Sequence, residues 1–165
     1  MSKVDTKDLI GFLRPFDENI VELAMWLRGF IWDLYPECNE LIYDNYNAVA
    51  VGWSPTLKIG DIFCSIAIYN NKNVHFGFYW GSKLTDPKKM LLGAGKQYRY
   101  VRIAKKEDLP PEYIKELLAE AHINSLAGMK KGEPPVTGTT VVKSISPKKK
   151  RPGDPPKKKK IGRNS

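Results

Sequence analysis

The strongest constraint on the fold is a two-residue rhythm running through positions 61–80. Ile62, Cys64, Ile66 and Ile68 alternate with Phe63, Ser65, Ala67 and Tyr69. After Asn70-Asn71-Lys72-Asn73, Val74, Phe76, Phe78 and Trp80 alternate with His75, Gly77 and Tyr79. Successive side chains on a strand point to opposite faces, so each run describes a strand with one apolar face. Asparagine tolerates left-handed backbone and caps its own turn, so the polar four-residue break predicts a hairpin.

The neighbouring segments extend this pattern. Residues 41–46 and 48–54 are short and rich in Tyr, Val and Trp. In the second, Val49, Val51 and Trp53 alternate with Ala48, Ala50 and Gly52. Residues 98–103 read as a further strand, and one helical turn is expected near 86–92. The rhythm changes on either side. Ile20, Ala24, Leu27, Ile31 and Leu34 recur at steps of four and three, which predicts a helix from a cap at Asp17 to about Leu34, with Pro36 just beyond. A last helix opens at Pro110-Pro111, carries Ile114, Leu117, Leu118 and Ala121 on one stripe, and is closed by Gly128. The expected fold is therefore α+β: a mainly antiparallel five- to six-stranded sheet, with N- and C-terminal helices packed on one face.

Charge divides the chain. The net charge is +9, from 27 basic and 18 acidic residues. Residues 127–165 hold 12 of the basic and 2 of the acidic ones, net +10, which leaves residues 1–126 at net −1. From Gly128 onward there is no aromatic residue, and Lys, Pro, Gly, Ser and Thr dominate. Such a segment buries too little apolar surface to offset its ordering entropy. The expectation is a folded domain over 1–126 and a disordered basic tail over 127–165.

Several function classes find no support in the sequence. Two cysteines, Cys38 and Cys64, fit reduced thiols rather than a disulfide scaffold, and they form no C-x-x-C pair and no Cys/His cluster in sequence. No apolar run approaches the roughly 18 residues of a spanning helix, and the N-terminus lacks a signal-peptide core, so a cytoplasmic protein without membrane contact is expected. Gly52-Trp53-Ser54-Pro55 begins like a nucleophile elbow and does not complete one. Met90 and Gln97 stand where a Walker loop needs glycine and Ser or Thr. Parity puts Cys64 and His75 on opposite faces, and His122 adjoins the apolar stripe of the last helix. No catalytic residue is assigned, and the chain reads as non-enzymatic.

Residues 74–103 resemble a known family: Val74-His75-Phe76-Gly77-Phe78-Tyr79-Trp80-Gly81, then Asp86-Pro87, then Leu92-Gly93-Ala94-Gly95-Lys96-Gln97-Tyr98-Arg99. With Tyr35-Pro36-Glu37 and Glu40 at the entry to the sheet, they resemble the YdhG-like family, described as a domain of unknown function. The likeness covers roughly residues 15–126, and Gly95-Lys96-Gln97-Tyr98-Arg99 is its most specific part. The chain departs at residues 43–48, where many members carry a Tyr-Gly-Met-Pro type of turn. The resemblance implies a frataxin-like sandwich with two helices on one face of an antiparallel sheet. It also implies kinship with a member described as a frataxin-like iron chaperone.

Three candidate sites follow. Hard carboxylate oxygens suit loosely held iron, and Asp33, Glu37, Glu40 and Asp44 would form an acidic ridge at the exit of the first helix. That stretch, residues 1–44, holds nine acids against four bases, although solvated helix faces carry acids for solubility as well. The second site is polar and aromatic. Lys96 and Arg99 follow a glycine-rich turn suited to an anion. Arg102 shares a face with Tyr98 and Tyr100, and His75 and Tyr79 fall on the sheet's less apolar side. A phosphate-bearing ligand or a protein partner on the open sheet face is expected there. The third is the tail, where Lys148, Lys149, Lys150, Arg151, Lys157, Lys158, Lys159 and Lys160 would bind nucleic acid or other polyanions without sequence preference. The leading functional expectation is thus a binding domain with an iron-chaperone role; the alternative is a nucleic-acid-associated accessory protein acting through the tail.

Overall fold

The structure, a computed structural model, describes residues 7–130 and 136–155. Two helices open the fold: α1 (Lys7–Leu13) and α2 (Glu18–Leu34). Five strands follow: β1 (Asn39–Asp44), β2 (Val49–Ser54), β3 (Cys64–Ile68), β4 (Val74–Phe78) and β5 (Arg99–Ile103). Helix α3 (Pro111–Gly128) and strand β6 (Thr140–Ile145) complete it. The protein is α+β, with a six-stranded open sheet in the order β5-β4-β3-β2-β1-β6. Strands β1 to β5 pair antiparallel, and β6 runs parallel to β1. Among the described residues no helix is long and apolar enough to cross a membrane.

The alternation becomes register directly. Ile66 opposes Phe76, and Ala67 opposes His75. Asn70 Oδ1 accepts the amide hydrogens of Lys72 (2.8 Å) and Asn73 (3.2 Å), closing the hairpin as its turn chemistry requires. One sheet face carries Ile42, Val51, Trp53, Cys64, Ile66, Val74, Phe76, Phe78, Val101 and Ile103, all buried. Ile20, Leu23, Leu27 and Ile31 of α2, with Ile114, Leu117, Leu118 and Ala121 of α3, belong to the same cluster. Trp32 meets Trp53 edge-on at 6.3 Å. Each such large side chain contributes roughly 1.5–3 kcal/mol by leaving water.

Four features differ from the sequence expectation. Helix α1 has only Leu9 and Leu13 on its buried side, too brief a period to announce it. Asp17 begins α2 without a side-chain cap; its own amide donates to Asn71 Oδ1 of the β3–β4 turn at 2.8 Å. Residues 86–92 form no helix. Asp86 instead accepts the amides of Met90 and Leu91 at 3.1 and 2.9 Å.

The largest difference is in the C-terminal segment. The folded part does not stop at 126, because residues 136–155 lie against the domain. The reason is local: Thr139-Thr140-Val141-Val142 is a β-branched run, and the outer edge of β1 offers unpaired backbone groups. Glu40 donates its amide to Thr139 O (2.8 Å), and Asn39 holds Val136 O (2.6 Å) and the Thr139 amide (3.1 Å) through its side chain. Averaged lysine and proline content hides this run.

Candidate functional site

The sheet face opposite the core is lined by a row of aromatic rings. His75 opposes Arg102 and Gly77 opposes Tyr100 across the β4–β5 ladder, so all four share that face. The rings meet in sequence: Tyr69 to His75 at 5.0 Å, His75 to Tyr100 at 4.4 Å and nearly parallel (7°), Tyr100 to Tyr98 at 5.8 Å, and Tyr98 to Tyr79 at 5.9 Å. Gly77 makes room for this row. A Cβ there would lie 2.1 Å from Tyr98 Oη and 2.3 Å from its ring carbons. Arg102 is exposed, with its guanidinium 5.7 Å from the Tyr100 centroid and Nη2 3.4 Å from Tyr100 Oη.

Electrostatics keeps these groups in defined states. Burial, and then the Arg102 charge, lowers the His75 pKa, so the imidazole is neutral at neutral pH. Burial raises the phenol pKa values of Tyr69, Tyr79 and Tyr98. Along β1 to β5 this side therefore presents uncharged rings, phenolic hydroxyls and the exposed Arg102. No strand position from β1 to β5 on this side is acidic.

Of the basic-aromatic set, the structure brings together His75, Tyr79 and Arg102. It sets Arg99 apart. Arg99 opposes Phe78, a core-side position, and its Nη1 donates to the carbonyls of Gly95 and Tyr98. The guanidinium braces the glycine loop from within and is not turned outward with Arg102, which corrects the anion-cradle expectation. Lys96 is exposed on that loop, and its carbonyl accepts Ser82 Oγ at 2.5 Å. Beside Tyr79 lies a cleft of about 270 Å³, lined in part by Asp61, Trp80, Lys83 and Ser125. Trp80 there adopts a left-handed backbone (φ 58°) with Lys83 Nζ 5.3 Å from its ring, a strained conformation of the kind that collects at functional sites.

The acidic ridge does not form. Glu40 is buried on the core side and receives Arg28 Nε at 2.6 Å and Nη2 at 2.8 Å, with Trp32 Nε1 at 3.2 Å and Thr140 Oγ1 at 3.1 Å. Asp44, also buried, pairs with Arg151 Nη2 at 2.5 Å and with Lys149 Nζ. Buried carboxylates need such partners, because an uncompensated buried charge is costly. Asp33 and Glu37 remain at the surface. The same pairing redistributes the tail cations. Arg151 is buried and Lys149 is tied to Asp44, whereas Lys148 and Lys150 are exposed. Lys157, Lys158, Lys159 and Lys160 lie outside the described residues.

A second grouping escaped the sequence reading. Glu37, Cys38 and His122 each bring one potential metal-ligand atom within 4.8 Å of the others. Cys38 and His122 are 84 residues apart, and no local signal joins them. Neither Cys38 nor Cys64 is in a disulfide, and both are buried.

No family model matches the chain, and comparisons with curated proteins and with solved structures return no significant match.

Proposed function

We propose that this chain is a non-enzymatic binding domain that holds a flat, phosphate-bearing ligand, a nucleotide or a short single strand, against the aromatic row of its open sheet face. The observation that carries this reading is the His75–Tyr100–Tyr98 stack with Arg102 beside it on a face free of strand carboxylates. Stacking on aromatic rings is tolerant of base identity and is worth roughly 1–3 kcal/mol per base. The exposed guanidinium is placed for a phosphate. Lys148 and Lys150, with the lysines that follow, would add a salt-sensitive attraction for further phosphates.

On this reading the domain is YdhG-like and frataxin-like, with its helices on the core side and the aromatic side left for the ligand. The shared burial of the α2 and α3 stripes with one sheet face supports that layout. A cytoplasmic setting suits two buried thiols outside any disulfide. An iron-carrying role draws less support, since Glu40 and Asp44 are committed to arginines and leave Asp33 and Glu37 as the ridge's surface carboxylates.

A labelled single-stranded oligonucleotide titrated into the full chain tests this. Binding should weaken about tenfold or more in Tyr100→Ala, the equivalent of one lost stacking contact, with the fold unchanged by circular dichroism. Equal affinity of the variant and the parent chain would refute the proposal.

A further inference from the structure

The Glu37–Cys38–His122 group joins the segment after α2 to α3. Cys38 Sγ stands 3.8 Å from His122 Nε2. In a tetrahedral zinc site, with Zn–S of about 2.3 Å and Zn–N of about 2.0–2.1 Å, sulfur and nitrogen are separated by roughly 3.6 Å. The pair is therefore already near the spacing one ion would impose. The Glu37 carboxylate falls within the same 4.8 Å radius, which gives three donors from two places in the fold.

The surroundings suit a bound cation. Cys38 is only 1% exposed, His122 is half-buried, and Glu37 reaches solvent, so an ion could enter from the carboxylate side. The rings of Tyr35 and Phe63 flank the imidazole at 4.7 and 4.9 Å and limit its rotation. The Glu37–Cys38 corner is pinned as well. Cys38 donates its amide to Tyr35 O at 3.1 Å, and Glu37 O accepts the Gly138 amide at 3.0 Å.

We propose that Glu37, Cys38 and His122 form a mononuclear site for Zn²⁺ or a closely similar d-block ion, with solvent in the fourth position. Thiolate and imidazole together select such an ion over Mg²⁺ or Ca²⁺, which require all-oxygen shells, and favour Zn²⁺ over Fe²⁺ at equal availability. Three protein ligands with one open place is also the arrangement of zinc sites that take up an exogenous ligand. This assignment is independent of the nucleotide reading.

The test is titration of the reduced, metal-free full chain with Co²⁺ followed by Zn²⁺. One equivalent of Co²⁺ should produce a thiolate-to-cobalt charge-transfer band and the intense visible bands of a tetrahedral centre, and Zn²⁺ should displace it. Cys38→Ser should remove the charge-transfer band. Glu37→Gln, at an exposed position and so harmless to folding, should weaken Zn²⁺ about tenfold or more in competition with a chromophoric chelator. The proposal is overturned by the absence of a stoichiometric band. It is overturned equally by unchanged Zn²⁺ affinity in Glu37→Gln, by a band that survives Cys38→Ser but not Cys64→Ser, or by tighter binding of Fe²⁺ than of Zn²⁺.

Discussion

The two faces of the sheet are built from the same strands and follow opposite rules. On the core face the side chains are aliphatic or aromatic, and the charges that enter are neutralised, as Glu40 is by Arg28. On the other face Gly77 yields its space to Tyr98, polar rings stack on one another, and Arg102 stands exposed. Alternation of parity lets one strand serve both: Phe76 is fully buried while its neighbour His75 is part of the aromatic row. Under the proposed function, register separates stability from recognition: substitutions on the core face should read out in unfolding, and those on the aromatic face in binding.

This contrast can be broken at several points. Phe76→Ala should cost about 3–5 kcal/mol, as large-to-small core changes do, measured by urea unfolding; a loss under about 1 kcal/mol would mean the core is elsewhere. Glu40→Ala should be comparably damaging, about 3–5 kcal/mol, because it leaves Arg28 buried without its counter-ion. Replacing both Arg28 and Glu40 by Met should recover most of that loss, which shows the cost to lie in the orphaned charge. Arg151→Met should cost less, about 1.5–3 kcal/mol, since Lys149 still pairs with Asp44. It should also raise hydrogen exchange along β1 and β6, whereas a segment that merely lay in solvent would show no such coupling.

The smallest effect concerns pH. The His75 pKa is held below its usual 6.5 by burial and then by Arg102. As pH falls through that usual value the unfolded chain takes up a proton that the folded chain resists, so stability is complete above about pH 6.5 and declines below it. His122 is lowered by burial too, despite the opposing Glu37 charge, and acts in the same direction. His75→Gln should therefore flatten, without abolishing, the fall in urea midpoint between about pH 7 and about pH 5.5. An unchanged slope would show that His75 is as well solvated as in the unfolded chain.

Much of the sheet was legible because alternation is a local property. Residues 74–78 announce a strand, and the same parity correctly groups His75 with Tyr79 and Arg102. Legibility ended where an interaction spans the chain. Nothing in the sequence joins Arg28 of α2 to Glu40 of β1, which the fold pairs in the interior. Asp44 reads as a surface acid until Arg151, 107 residues later, reaches it. Cys38 and His122 meet because both lie against Tyr35, which takes the Cys38 amide on its carbonyl and flanks the His122 ring with its own. The tail misled for a different reason: a composition average over 127–165 cannot resolve four β-branched residues that suit an open strand edge.

The separation of the two faces is tested most directly by backbone amide NMR of the full chain titrated with a single-stranded oligonucleotide. Shifts should concentrate on Tyr69, His75, Gly77, Tyr98, Tyr100 and Arg102 and persist when salt is raised enough to suppress contacts to the lysines. Shifts confined to residues 148–151 that vanish with salt would contradict it, placing binding in the basic segment and leaving the aromatic row without a ligand.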